Sequence, residues 1–266
     1  MPQQRVFAVR FGWGERDLAV LAPVSDLVVL VDVLRFTTAV SVAVSRGAVV
    51  LPYGWRDGRA AGFAADHGAV LAGMREDPGA CSLSPTDLAR IPAGTRLVLP
   101  SPNGSALSTT AAGYGATVLA GCLRNAPAVG RLLATEVAAG RTVAVIASGE
   151  RWPDASGVAH AGPLRPAVED LLGAGAVLRH LGDLTRAQLS PEARAARAAF
   201  DAAAPTLHDE LREAASGREL LALGWDDDVA AAAALGADIT VPLLRAGAFQ
   251  AMTATAWTSA ASRGIG

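Results

Sequence analysis

Short aliphatic runs recur along this chain, separated by longer stretches rich in alanine. The clearest run, Leu27 to Val31, reads LVVLV without a polar position. That pattern predicts a strand buried on both faces. Asp32 stands where this strand should end, Arg35 and the pair Thr37-Thr38 follow, and a small-residue run leads to Ser45. Gly47 then occupies the place a helix C-terminus reserves for glycine. A second apolar run, residues 48–53, follows so closely that a right-handed βαβ unit with parallel pairing is expected. Further strands are expected at 5–11, 69–72, 96–99, 117–120, 142–147 and 239–241. Helices are expected at 56–68, 85–89 (capped by Ser84 or Thr86), 124–133, 167–181, 191–204, 206–215, 219–223 and 226–235, with a break at Ser216-Gly217. A further helix should follow Ser105. A polar loop is expected from 148 to 166 and an Ala/Thr-rich tail after 241.

Alternation of strands and helices through residue 181 predicts an α/β fold, a three-layer α/β/α sandwich with a largely parallel or mixed central sheet. No linker forces a boundary, so residues 1–266 read as a single domain. The helix-rich segment 182–236 is expected to cover one end or carry a lid.

Composition narrows the class. Hydrophobic residues make up 51% of 266, ample for a core, and much of this is alanine, which lets helices pack closely. The net charge of −2 gives no basic field, so neither nucleic acid nor an acidic membrane is an expected partner. No apolar run approaches the roughly 18 residues of a membrane span, and residues 1–17 lack the apolar centre of a signal peptide. Two cysteines, Cys81 and Cys122, make no disulfide framework and no zinc spacing. A soluble cytoplasmic protein is expected, and homo-oligomerisation is left open.

Three strand ends repeat one arrangement of apolar strand, small polar turn and helix: 32–38, 101–105 and 148–149. Each would offer backbone N–H groups and hydroxyls to an anion. Arg35 would add a bidentate fork for phosphate or sulfonate oxygens. Asp32 suits a hard metal ion or a proton, and Mg²⁺ needs only one or two protein carboxylates. Glu169-Asp170 and Asp226-Asp227-Asp228 are the other acidic candidates. Plainer readings stand beside these. An Asp at a strand end caps a helix or pairs with Arg. Asn103-Gly104 alone makes a turn, and Ser148-Gly149 can merely end a strand. Glu169-Asp170 suit a helix dipole, and Asp226-Asp227-Asp228 suit a cap or a solvated face. Of the four histidines only His160 falls in an expected site loop. Asp32 is followed by Val33-Leu34, without the second acid of a haloacid-dehalogenase-type enzyme. Neither a Cys-x5-Arg loop nor a Walker-type Gly-rich loop is present.

Taken together, the motifs resemble the 2-phosphosulfolactate phosphatases, the ComB-like family. The resemblance rests on Val29 to Thr38 (VLVDVLRFTT), the turn Ser101-Pro102-Asn103-Gly104-Ser105, and Gly121-Cys122-Leu123-Arg124-Asn125-Ala126. Glu169-Asp170 ahead of Gly173-Ala174-Gly175-Ala176 adds to it, as does Leu223-Gly224 to Asp228-Val229. It covers nearly the whole chain. There are departures: Gly73-Met74-Arg75 stands where the family has Gly-Glu-Arg, Ser82-Leu83-Ser84-Pro85 where it has Gly-Asn-Ser-Pro, and Pro102 where it has Thr.

The resemblance implies a phosphoric monoester hydrolase that uses Mg²⁺. It would convert 2-phosphosulfolactate to 3-sulfolactate and phosphate, a step of coenzyme M biosynthesis. On that footing Asp32, Arg35 and Glu169 are the expected catalytic residues, and Asp32, Glu169 and Asp170 the expected metal ligands. The small phosphorylated anion would be bound by Thr37, Thr38, Arg75, Ser101, Asn103, Gly104, Ser105, Asn125, Ser148, Gly149 and Arg151. Arg75 and Arg151 would take its sulfonate or carboxylate. Two alternatives are carried: a phosphatase for another small phosphorylated hydroxy acid, and a non-catalytic anion-binding homologue.

Overall fold

The computed structural model describes residues 4–54, 58–75, 81–158, 161–185 and 187–252. In chain order the first half contains β1 (Val9–Trp13), α1 (Gly14–Leu21), β2 (Leu27–Val31), α2 (Phe36–Ser45), β3 (Val49–Tyr53), α3 (Ala60–Asp66), β4 (Val70–Leu71) and α4 (Pro85–Leu88). Then come β5 (Arg96–Pro100), α5 (Gly104–Ala112), β6 (Thr117–Gly121), α6 (Ala126–Ala138), β7 (Val143–Ala147) and the two-strand ribbon β8 (Glu150–Arg151) and β9 (Leu164–Arg165). The remainder is α7 (Val168–Arg179), α8 (Pro191–Ala203), α9 (Leu207–Glu213), α10 (Ala215–Ala222), α11 (Asp226–Ala233), β10 (Pro242–Arg245) and β11 (Ala248–Ala251).

The unbroken apolar run of β2 is explained by its place in the sheet. Its residues alternate between two cores. Leu27, Val29 and Val31 join the core under α6, α7, α8, α9 and α11. Val28 and Leu30 join the core under α1, α2, α4 and α5. Full burial of each such side chain stabilises by about 1.5–3 kcal/mol, so no position in this strand tolerates a polar residue. Helices therefore cover both faces of the sheet, and the architecture is a three-layer α/β/α sandwich.

The sheet is mixed. Its nine strands run β1-β7-β2-β6-β10-β11-β3-β5-β4. β1, β7, β2 and β6 are parallel neighbours, as are β3, β5 and β4. The hairpin β10–β11 lies between these groups, antiparallel to β6 on one side and to β3 on the other. Three antiparallel steps reverse the local strand sense between the groups. The exits of β2 and β5 nevertheless meet: α5 packs across β2, β3 and β6, and its Gly104 N–H reaches Asp32 at the exit of β2.

Several expectations are corrected here. The β2 and β3 strands are not neighbours, since β6, β10 and β11 separate them. Crossover rules fix the hand of a connection and not adjacency. The last strand starts at Pro242 rather than Ile239 and is followed by a second strand, which the alanine-rich composition conceals. The first strand runs to Trp13, and the turn falls at Gly14, whose φ is +58°. Ser216 and Gly217 lie inside α10, and the chain breaks instead at Ala214, where ψ is 150°. The loop from 148 to 166 contains the β8–β9 ribbon. His160, and residues 56–57 of the helix expected at 56–68, lie outside the described residues.

Segment 182–236 forms α8 to α11. Helix α8 lies on α7 and β1, and α11 reaches α4 and α9. The α7–α8 contact is close enough that a Cβ added at Gly175 would sit 2.2 Å from the Ala196 carbonyl oxygen. Glycine there is a packing requirement.

Candidate active site

The exits of β2, β5 and β7 converge, and two carboxylates join them. Asp32 leaves β2; its Oδ1 accepts the Phe36 N–H at 3.1 Å and its Oδ2 accepts the Gly104 N–H at 3.0 Å. One side chain thus fixes the first turns of α2 and α5. Asp170 works the same way from α7. Its Oδ1 accepts the Val33 N–H at 2.7 Å and its Oδ2 the Gly149 N–H at 2.8 Å. It ties the turn after β2 to the turn after β7. A Cβ at Gly104 would lie 2.3 Å from Phe36 Cδ1 and 2.7 Å from Asp32 Oδ2, so the approach of α5 to the carboxylate needs glycine.

Two buried groups beside these are unspent. Glu169 is 2% exposed, and its carboxylate makes no hydrogen bond among the described residues. Ser148, 4% exposed, has a buried Oγ without a partner. Buried polar atoms are ordinarily satisfied, so the Ser148 Oγ points to something outside the chain, and the Glu169 carboxylate beside it is uncommitted. The acids also repel each other. Burial, with the charges of Glu150 and Glu169, raises Asp32 to about 7, against the lowering effect of its two N–H donors. Burial, then Asp32 and Glu169, raises Asp170 well above the usual carboxylate range.

A second cluster stands on Arg35, which follows a cis Leu34–Arg35 peptide. Its Nη1 donates to Asp228 Oδ2 at 2.5 Å, and its guanidinium lies 4.6 Å from the Trp225 ring centroid. Arg75 reaches the same Asp228 oxygen at 2.5 Å and both Asp227 oxygens at 2.7 and 2.8 Å. Ser84 Oγ and Thr86 Oγ1 donate to Asp228 Oδ1 at 2.5 and 3.3 Å. Burial opposes the charge of Arg75, but Asp228 and then Asp227 raise its pKa overall. Arg75, Ser84 and Thr86 are thereby fastened to α11.

A cavity of about 560 Å³ opens beside the acids, lined by Trp13 to Arg16, the first half of α5, and the β8–β9 ribbon. Asn103 and Ser148 lie in its wall, and Asn103 Nδ2 donates to Glu150 Oε2 at 3.0 Å. Arg151 is at its rim, 3.8 Å from Glu15.

The expected site residues therefore separate into groups. Asp32, Glu169, Asp170, Gly104, Ser148 and Gly149 come together. Asn103 and Arg151 line the adjoining cavity. Arg35 and Arg75 share Asp228. Four others are turned to the backbone. Thr37 Oγ1 donates to the Asp32 carbonyl oxygen and accepts the Asp32 N–H, and Thr38 Oγ1 donates to the Val33 carbonyl oxygen. Ser105 Oγ donates to the Leu99 carbonyl oxygen. Asn125 bridges Cys122 and Ala120 at the exit of β6. Ser101 is buried at the end of β5. Sequence reasoning gave no role to Trp225 or Arg16, and it named Asp228 only as one of three acidic candidates. Three consecutive aspartates looked like solvated helix-start acids, yet Asp228 is fully buried; its only signal was its place in the matched Leu223 to Val229 segment.

Buried acids meet at strand exits beside a cavity, and the guanidinium of Arg35, three residues after Asp32, is held on Asp228 and Trp225. The family model for 2-phosphosulpholactate phosphatase matches residues 17–247. The chain belongs to that family, which makes it a phosphoric monoester hydrolase acting on a small phosphorylated substrate. No curated protein matches it. Among the described residues no helix is long and apolar enough to cross a membrane.

Proposed function

We propose that the chain hydrolyses 2-phosphosulfolactate to 3-sulfolactate and phosphate with Mg²⁺. The observation that carries the reading is the unspent pair Glu169 and Ser148 Oγ among the buried acids. No group of three or more His, Cys, Asp or Glu among the described residues forms a ready-made metal cage. Mg²⁺ does not require one, because it keeps several waters and binds through one or two carboxylates and substrate oxygens. The donor set fits a hard cation: oxygens only, buried, and mutually repelling until a positive charge arrives. Asp32, with help from Glu169 or Asp170, would hold it, and the ion would supply charge withdrawal from the phosphoryl oxygens.

The chain's own groups do the rest. Arg35 neutralises developing charge on the phosphoryl group. Glu169 takes the proton of the attacking water, since it alone of the three acids gives up no lone pair to the backbone. Asp32 and Asp170 hold the three strand exits in register. The 560 Å³ cavity receives the acid end of the substrate, with Arg151 at its rim.

A second reading, a phosphatase for another phosphorylated hydroxy acid, is favoured by one observation. Arg75, expected to receive the second anion, is already engaged by Asp227 and Asp228. Phosphate release from 2-phosphosulfolactate, phosphoglycolate and phospholactate, each with and without EDTA, separates the readings. Preference for the sulfonate with loss in EDTA is expected. Faster turnover of either carboxylate ester would favour the second reading, and release from none would defeat both.

A further inference from the structure

Arg35 and Arg75 stand on the same ring and the same carboxylate oxygen, yet they are not equivalent. Both terminal nitrogens of Arg75 are consumed, Nη1 by Asp228 and Ser84 and Nη2 by Asp227. Arg35 gives only Nη1 to Asp228, and its Nε and Nη2 make no hydrogen bond among the described residues. Its side chain is 13% exposed, so this free edge is close to solvent but not swept by it. Asp228 itself is fully buried and saturated by two guanidiniums and two hydroxyls. A guanidinium fixed on one nitrogen and stacked on an aromatic face keeps its planar fork ready for a tetrahedral oxyanion. The stacking also lowers the freedom that binding must remove.

We propose that Trp225 and Asp228 form a seat that presents the Nε–Nη2 edge of Arg35 to the phosphoryl group of the substrate. Arg75 is the brace of that seat, tying Asp227 and Asp228 of α11 to Ser84 at the head of α4, and not a second anion receptor. Asp228 and Trp225 are positioning residues, because they act through Arg35. That the anion is a phosphoryl group rests on the function proposed above; the seat rests on its own geometry.

The test has a binding arm and a kinetic arm. Inorganic phosphate titrated into the wild-type chain should give a saturable change in tryptophan fluorescence, and Trp225→Phe should abolish it. A silent wild type, or an unchanged signal in Trp225→Phe, would overturn the seat. In the kinetic arm, guanidinium added to Arg35→Ala should restore phosphate release by about tenfold, the scale of a charge-assisted hydrogen bond. It should not do so in Arg35→Ala/Trp225→Leu, where the platform is gone, and equal rescue of both would also overturn the seat. A wild type that binds phosphate with the Trp225 signal and hydrolyses no ester would sustain the seat and defeat the proposed reaction.

Discussion

Glu169 and Asp170 are neighbours in the first turn of α7, and their oxygens are committed differently. Asp170 accepts two backbone N–H groups from two different strand exits. Glu169 accepts none among the described residues. Replacing Asp170 with Asn aims an NH₂ at one of those N–H donors and leaves it unsatisfied, at a cost of about 1–3 kcal/mol. The thermal midpoint of Asp170→Asn should fall by about 2–4 °C for each kcal/mol. Glu169→Gln removes a charge from a crowded acid cluster without breaking a hydrogen bond. Its midpoint should stay within about 0.5 kcal/mol of wild type or rise, while kcat falls about 10²–10⁴-fold if Glu169 is the proposed base. Melting curves and phosphate release on the two variants test the assignment, and the opposite pattern would exchange their roles.

At the scale of elements, the approach of α5 to the exit of β2 is the tightest junction of the site. Gly104→Ala places a methyl against Phe36 and Asp32 Oδ2, so it should destabilise by about 1–3 kcal/mol and lower activity together with stability. A variant as stable and as active as wild type would show that α5 can retreat. The β2–Asp32–α2 unit was legible in the sequence because burial on both faces leaves no polar position to confuse the pattern, and Gly47 marks the helix end with φ +84°. Ser84 was likewise legible as the cap of α4, and its side chain accepts the Asp87 N–H. The β10–β11 hairpin was not legible, since two strands of four residues each, the first opening on Pro242, carry little period-2 signal. Its insertion between β6 and β3 is a long-range pairing that no local pattern encodes. Of the site, the acids could be named, because strand ends and the family resemblance single them out. The partner of Arg35 could not, because Asp228 lies 193 residues away and its burial depends on where α11 lands.

The whole molecule carries the acid cluster as a pH-dependent strain, which gives the last prediction. Asp32 has an ordinary value of 3.8 and a folded value of about 7. Below 3.8 both folded and unfolded chains hold the proton. Between 3.8 and 7 the unfolded chain releases it while the folded chain keeps it, so stability falls as pH rises, by about 1.4 kcal/mol per unit for one such group. Above 7 both are ionised and the loss is complete. Asp170, also raised, adds with the same sign. Asp26 and Asp227 are held below the ordinary value and so act only at more acid pH. In EDTA the thermal midpoint should therefore drop by about 5–10 °C from pH 5 to pH 7. The proposed Mg²⁺ would reverse the penalty by binding the ionised acids, and at a hundred times its Kd it would add about 2.7 kcal/mol. The shift it causes should be large at pH 8 and small at pH 5, where a proton occupies Asp32. A midpoint in EDTA that rises over this range would refute the acid cluster, and one at pH 8 indifferent to Mg²⁺ would refute the metal and leave Arg35 as the principal charge on the phosphoryl group.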